Sequence, residues 1–251
     1  MSQTALIQTA PSQVALSASA LTVPGRLAAM DVRFSPGRLV AVLGPNGAGK
    51  STLLQALAGL LPCGGKVQWQ GEDLRRIPFL SRGRRLAWLA QDTHVDFAFP
   101  VEQVIQQGRF AHGEDHPNGV VADLLVRLDL QHLAKRPVTQ LSGGERQRVF
   151  LARALATEAA IQLWDEPLAQ LDVRHALEVL DLARGLTAQG RTVIMTIHDL
   201  RLAMGMDEVL LLDRGALRAQ GPPGAVLTEA MIHDVFRVQA RTQPALILEL
   251  P

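Results

Sequence analysis

The most specific chemistry in this chain lies in eight consecutive residues. Gly44, Pro45, Asn46, Gly47, Ala48, Gly49, Lys50 and Ser51 fit the pattern G-x-x-x-x-G-K-[ST], and Thr52 follows directly. Glycines at this spacing let backbone N–H groups turn inward toward an anion, and a helix beginning here adds partial positive charge. That helix end is worth only about 0.3–1 kcal/mol at an exposed site, too little to hold a triphosphate. Lys50 is therefore expected on the β- and γ-phosphates, with the Ser51 hydroxyl on Mg²⁺. The stretch reads as a cradle for a nucleoside triphosphate.

Two more places supply what a cradle needs to act. The apolar run Ile161, Gln162, Leu163, Trp164 ends in Asp165 and Glu166. In a parallel sheet such a strand end lies beside the glycine loop. Asp165 is the candidate Mg²⁺ partner, through water, and Glu166 the candidate general base or water-positioning group. The second place is Ser142, Gly143 and Gly144, within the segment 141–148. Ser142 is a good N-cap, and the two glycines allow close backbone approach at a helix start, which makes a second anion-binding device. One domain holds one nucleotide. The second device is accounted for if two copies meet about a two-fold axis, each giving its serine-glycine turn to the other's γ-phosphate.

The positioning elements show as alternating runs. Residues 38–43 read as a short buried strand into the cradle, and 51–58 as a helix of good helix formers. Residues 13–23 and 28–34 alternate as two antiparallel strands; 66–70 and 86–90 are further strands. Arg75, Arg76, Arg82, Arg84 and Arg85 between them read as a solvated basic face. From residue 93 the pattern becomes helical, at 101–107 and 120–130. The loop holding His112, Asp115 and His116 is polar and broken by Gly and Pro, so it reads as exposed loop rather than a metal cluster. Alternation returns with helix 143–157, strand 161–164, helix 173–188, strand 192–197 and helix 200–204. An antiparallel pair (209–213, 216–219), a helix (229–236) and a strand (245–250) follow. The expected fold class is α/β of the P-loop type, a mostly parallel sheet with helices on both faces. An antiparallel β region precedes it and a helical subdomain interrupts it. Residues 1–251 form one domain, with 1–92 and 137–251 as catalytic core, 93–136 as the helical subdomain and 1–10 as a loose tail.

Composition narrows the rest. A chain of 251 residues with 47% hydrophobic and 20% charged residues can bury a large core. A net charge of +1 gives no electrostatic case for nucleic acid. The lone Cys63 allows neither a disulfide framework nor a cysteine-rich metal site. No apolar run reaches the ~18–20 residues of a membrane span, and the N-terminus lacks the charged start of a secretory signal. A membrane role is expected only through a partner.

Taken in order, the motifs resemble those of the ATP-binding-cassette (ABC) ATPases over residues 13–238. Residues 44–51 match the family's Walker A loop, Gln91 its glutamine loop, 141–147 its signature, 161–166 its Walker B strand with catalytic glutamate, Leu171 and Asp172 its D-loop, and His198 its switch histidine. The resemblance implies ATP and Mg²⁺ as cofactors. It implies that Gln91 touches Mg²⁺ or the attacking water, that His198 contacts the γ-phosphate, and that Asp172 reaches across to the opposite glycine loop. The implied mechanism is phosphoryl transfer to water, with ATP closing a homodimer and hydrolysis opening it. Residues 103–110, 171–175, 196–200, 213–215, 220–222, 226–228 and 235–236 are similar to ATPases of iron-siderophore, haem and cobalamin importers. That implies transmembrane permease subunits as partners, a separate substrate-binding protein, and a peripheral place on the cytoplasmic face of the bacterial inner membrane. The alternative within the family is a soluble ATPase without permease, of the iron–sulfur assembly kind. A regulatory switch without turnover is disfavoured by the presence of Glu166, Gln91 and His198.

Two departures from the pattern carry expectations. The chain has no Tyr, and its stretch Val23, Pro24, Gly25, Arg26 lacks the aromatic residue that stacks on adenine in relatives. Stacking is worth roughly 1–3 kcal/mol, so ATP binding is expected to be weaker and GTP poorly rejected unless Arg26 or Pro24 packs on the base. The D-loop has Gln170 where Ser or Asn usually precedes Leu-Asp.

Overall fold

The computed structural model describes residues 14–93, 95–113 and 119–241. Strands β1 (Leu16–Val23), β2 (Leu27–Phe34), β4 (Gly64–Trp69) and β5 (Glu72–Asp73) form an antiparallel sheet in the order β2-β1-β4-β5. Strands β3 (Leu39–Leu43), β6 (Leu86–Leu89), β7 (Ile161–Trp164), β8 (Thr192–Thr196), β9 (Glu208–Asp213) and β10 (Ala216–Gly221) form the second sheet, ordered β10-β9-β3-β8-β7-β6. It is parallel except for the β9–β10 hairpin.

Strand β3 shows why this sheet is central. All five of its residues are buried, and its sequence does not alternate in polarity, as expected for a strand covered on both faces. Its side chains divide between two cores by the two-residue period. Val40 and Val42 join the antiparallel sheet and helix α1 (Lys50–Ala58), alongside Ile161, Leu163, Ile194, Leu210 and Leu212. Leu39, Ala41 and Leu43 face the other way, with Trp164, Val193, Met195, Val209 and Leu211.

The helices follow from these two faces. After α1 come the short α2 (Phe79–Arg85), α3 (Val101–Gln106) with a 3-10 turn (Gln107–His112), and α4 (Gly119–Arg127). Then follow α5 (Gly143–Leu155), α6 (Val173–Ala188), α7 (Leu200–Ala203), α8 (Pro223–Val226) and α9 (Glu229–Phe236). The elements α3 to α6 share one core with the lower face of the central sheet. Gly108 lets the turn after α3 press on α5, since a Cβ there would stand 2.2 Å from the Arg153 carbonyl oxygen. Helix α4 ends three residues before the pattern suggested, because Asp129 turns left-handed (φ 53°) and Leu130 N–H closes back on Leu125 O. Helix α5 stops at Leu155 for the same reason, with Glu158 at φ 51°.

The basic segment is tied down more than a solvated face would be. Arg75 donates to Gly65 O, Arg82 to Ile77 O and Leu74 O, Arg84 to Ala111 O, and Arg85 to Glu72. Of the loop 111–119, the His112 ring lies 2.9 Å from Thr157 O, while Asp115 and His116 lie outside the described residues. So do the tail 1–10 and the strand expected at 245–250.

Helix α1, which begins at Lys50, is anchored at its far end by Trp69. The indole is 1% exposed, and its N–H donates to Leu57 O at 2.9 Å, satisfying a carbonyl of the last turn. Trp69→Phe strands that buried carbonyl, so unfolding free energy in urea should fall by roughly 1–3 kcal/mol; a loss below ~0.5 kcal/mol would mean that the indole N–H is dispensable.

Candidate nucleotide site

The glycine loop joins β3 to α1, and its shape depends on absent side chains. Gly44 has φ 152°, and a Cβ there would lie 2.3 Å from Leu212 O. The loop thus folds hard against the end of β9. Lys50 is 7% exposed, and its ammonium donates to Gly44 O (2.9 Å) and Pro45 O (3.1 Å) across the loop. Burial pushes its pKa down, while Glu166 and Asp165 favour the charged form.

The carboxylates follow β7 as expected, and a residue not singled out in the sequence holds them. Asp165 is 2% exposed and accepts a 2.7 Å hydrogen bond from the Thr196 hydroxyl. The same hydroxyl accepts from the Glu166 backbone N–H, also at 2.7 Å. Glu166 adopts φ 51°, a conformation that costs a non-glycine residue about 1–3 kcal/mol. Its carbonyl accepts from Gln147 Nε2 (3.2 Å) on α5 and from Ala169 N–H (3.1 Å), so the turn is fixed from both sides. The turn aims the Glu166 carboxylate at His198, whose Nε2 lies 2.9 Å from Oε1.

One cleft of about 680 Å³ gathers these groups. Residues 46–52, Gln91, Glu166 and His198 line it, together with Gly25, Arg26, Arg214 and Gly215. Gln91 is exposed at its wall. Gly215 docks the β9–β10 turn onto the loop, donating its N–H to Ala48 O (3.0 Å) and accepting from Ala28 N–H (2.9 Å).

Ser142, Gly143, Gly144 and Asp172 lie in a different cleft, of about 460 Å³, with Glu145, Arg148, Gln170, Leu171 and His175. Ser142 caps α5 in a capping box: its hydroxyl accepts from Glu145 N–H (3.3 Å), and the Glu145 carboxylate accepts from Ser142 N–H (2.7 Å) and the hydroxyl (2.8 Å). Those bonds, the backbone one foremost, hold the Glu145 pKa below the usual carboxylate range. Gln170 (φ 63°) lies against Gly143, where a Cβ would stand 2.0 Å from its Oε1. Asp172 caps α6 through His175 N–H (2.9 Å) and pairs with the His175 ring. The structure therefore brings Lys50, Ser51, Asp165, Glu166, His198 and Gln91 together and places Ser142, Gly143, Gly144 and Asp172 apart from them.

The model for the ABC transporter family matches residues 27–169, more than half of the chain. The chain belongs to that family. It is an ABC ATPase, and ATP is its nucleotide. Among curated relatives it is 43% identical to the Hemin import ATP-binding protein HmuV of Pseudomonas entomophila, over 85% of this chain and 88% of that protein. It is 44% identical to the Cobalamin import ATP-binding protein BtuD of Halobacterium salinarum, over 83% of this chain and 55% of that protein. The match thus spans only about half the length of the Halobacterium relative. Among solved structures it is similar to an inward-facing transporter described as of the metal-chelate type, with TM-score 0.77, 30% identity and 90% of each chain covered. A dimeric cassette in a post-hydrolysis state with ADP and Pi shares the fold: TM-score 0.76, 22% identity, 83% of this chain and 98% of that one covered.

Among the described residues no Phe, Tyr or Trp lines the cleft. Val23 is 5% exposed at the end of β1, whereas Arg26 lines the cleft and Pro24, next to the lining residue Gly25, is exposed. Pro24 is the exposed position beside the cleft at which an added ring can be tested. Thr196, Arg26, Arg214, Gly215 and Gln147 were not assigned to the site from sequence, apart from the possible packing of Arg26 on the base. The one available signal for Thr196 was a hydroxyl at the C-terminal end of a buried strand, two residues before His198.

Two outcomes follow. Thr196→Val keeps the shape but unpairs Asp165 and the Glu166 N–H, so kcat should fall roughly tenfold or more with KM for ATP little changed; steady-state kinetics reads this. Pro24→Tyr should tighten ATP binding by about 5- to 150-fold, measured by calorimetry, and unchanged affinity would show that the lip does not meet the base.

Proposed function

We propose that this chain is the ATP-hydrolysing subunit of an importer for a metal chelate of the haem, cobalamin or iron-siderophore class. Two copies work face to face under a transmembrane permease, at the cytoplasmic side of the membrane. The observation that carries the hydrolytic reading is the Glu166 carboxylate held 2.9 Å from His198 Nε2 at the wall of the cleft containing the glycine loop. The importer reading rests on the relatives named for haem and cobalamin import.

In this reading the loop N–H groups, Lys50, Ser51 and Thr52 hold the phosphates. The oxygens of Ser51 and of buried Asp165 are hard donors of the kind Mg²⁺ takes, so the residues present fit the ion. When bound, Mg²⁺ supplies charge neutralisation for the phosphates. Glu166 accepts the proton of the attacking water, His198 orients Glu166 and touches the transferred phosphoryl group, and Gln91 senses it from the wall. The second copy contributes Ser142, Gly143 and Gly144 to the same phosphate, and Asp172 to the facing loop.

No helix among the described residues is long and apolar enough to cross a membrane. Exposed aromatic residues offer a place for a permease. Phe79 (82% exposed) and Leu80 stand on α2, which packs on the turn carrying Phe110 (68%). Clusters of exposed large apolar residues mark interaction surfaces.

Glu166→Gln should lower hydrolysis by about 10²–10⁴-fold and accumulate an ATP-bound dimer in gel filtration; parental turnover would remove Glu166 from the role of base. From membranes of its native host, the parent should co-purify with a polytopic protein. Phe79→Ser with Phe110→Ser should lose that protein while keeping hydrolysis in solution. Recovery of no membrane protein would sink the importer reading.

A further inference from the structure

The second cleft contains a histidine that no role so far uses. His175 sits in the first turn of α6, half-buried, between two charged groups on different elements. Its Nδ1 is 2.9 Å from both carboxylate oxygens of Asp172. Its Nε2 is 2.8 Å from Nη1 of Arg148 on α5. Arg148 lies four residues after Gly144, on the same face of that helix.

The chemistry of the partners fixes the ring's state. A guanidinium only donates, so Nε2 must carry a lone pair and accept; Nδ1 then carries the proton and donates to Asp172. Bridging both partners in this way takes the tautomer with the proton on Nδ1. A doubly protonated ring would set an N–H against the guanidinium at 2.8 Å. The other charges nearby are Asp129 at the end of α4, 4.0 Å from Arg148, and Glu145 one turn earlier on α5. Neither replaces the link, because Asp129 is largely exposed and Glu145 is bound to Ser142.

We propose that His175 is a positioning residue for the half-site offered to the second copy. Its imidazole joins the start of α5 to the Asp172 loop, so that the serine-glycine turn and Asp172 approach the partner's nucleotide as one rigid unit. Preorganisation of this kind acts on closure of the dimer and leaves nucleotide binding to the single copy's own cleft unchanged. The inference rests on the two-copy reading above.

The test uses the full chain with Glu166→Gln, titrated with ATP and followed by sedimentation velocity, with a fluorescent ATP analogue reporting binding to the monomer. Adding His175→Leu, which removes both polar atoms, should raise the ATP needed for half-maximal dimer by about tenfold or more. Adding His175→Gln, whose amide offers one donor and one acceptor, should stay within about threefold of the parent. Analogue binding to the monomer should be equal in all three. His175→Leu dimerising like its parent, His175→Gln failing as His175→Leu does, or both losing monomer binding would overturn the proposal. If the Glu166→Gln parent stays monomeric at saturating ATP, the two-copy reading itself falls, and this inference with it.

Discussion

The structure depends on the placement of β8 between β3 and β7. These three parallel strands deliver, at adjacent carboxyl ends, the glycine loop with Lys50, the Thr196 hydroxyl, and the Asp165–Glu166 pair. Lys50 and Asp165 are both nearly inaccessible. The effective penalty for taking an ion out of water is several kcal/mol, and leaving either one unpartnered would strongly destabilise the fold. The middle strand answers that problem. The Thr196 hydroxyl donates a hydrogen bond to Asp165 and accepts one from the Glu166 N–H, so one hydroxyl satisfies a buried charge and secures a left-handed turn. Without it, the strained turn at Glu166 would be held at its backbone by the Gln147 and Ala169 contacts to the carbonyl and at its side chain by His198.

That arrangement makes the surrounding architecture intelligible. The antiparallel sheet and α1 cover one face of the central sheet and hold the cradle's helix through Trp69. The helical elements cover the other face, and α5 reaches from there to the Glu166 carbonyl through Gln147. The helix that begins at the serine-glycine turn is thus in direct contact with the Glu166 turn of its own chain. A shift of α5 would be felt at Glu166 without any change in the β-sheet.

Much of this was legible in the sequence. Runs such as Leu39 to Leu43 and Val193 to Met195 are apolar because both faces of their sheet are covered, and Gly44 answers to the loop's close approach to Leu212 O at the end of β9. Strand order was less accessible, since period-two patterns tell which faces are buried but not which strands are neighbours. The role of Thr196 is a product of that order. The arginines of 75–85 read as a solvated face because charge patterning is blind to nearby carbonyl groups, four of which they bind. The helix ends at Asp129 and Glu158 were missed because non-glycine residues seldom turn left-handed.

The second cleft is weak as an anion site by itself, which fits the two-copy arrangement proposed above. A phosphate arriving at Ser142 would meet the N–H groups of a helix start, worth only about 0.3–1 kcal/mol at an exposed site. It would also meet the Glu145 carboxylate, which the capping box keeps ionised and which repels a phosphate. Arg148 offers the opposite charge, but its guanidinium is engaged with His175 and lies near Asp129. Taken alone this cleft is a poor anion site. It gains strength only when the phosphate is already neutralised and fixed by another set of cations, and in this chain Lys50 of the glycine loop supplies such a set. In the two-copy arrangement proposed above, the weak half is suited to reading a nucleotide that another copy has bound, and hydrolysis, by releasing the γ-phosphate, would remove the group that makes the contact favourable.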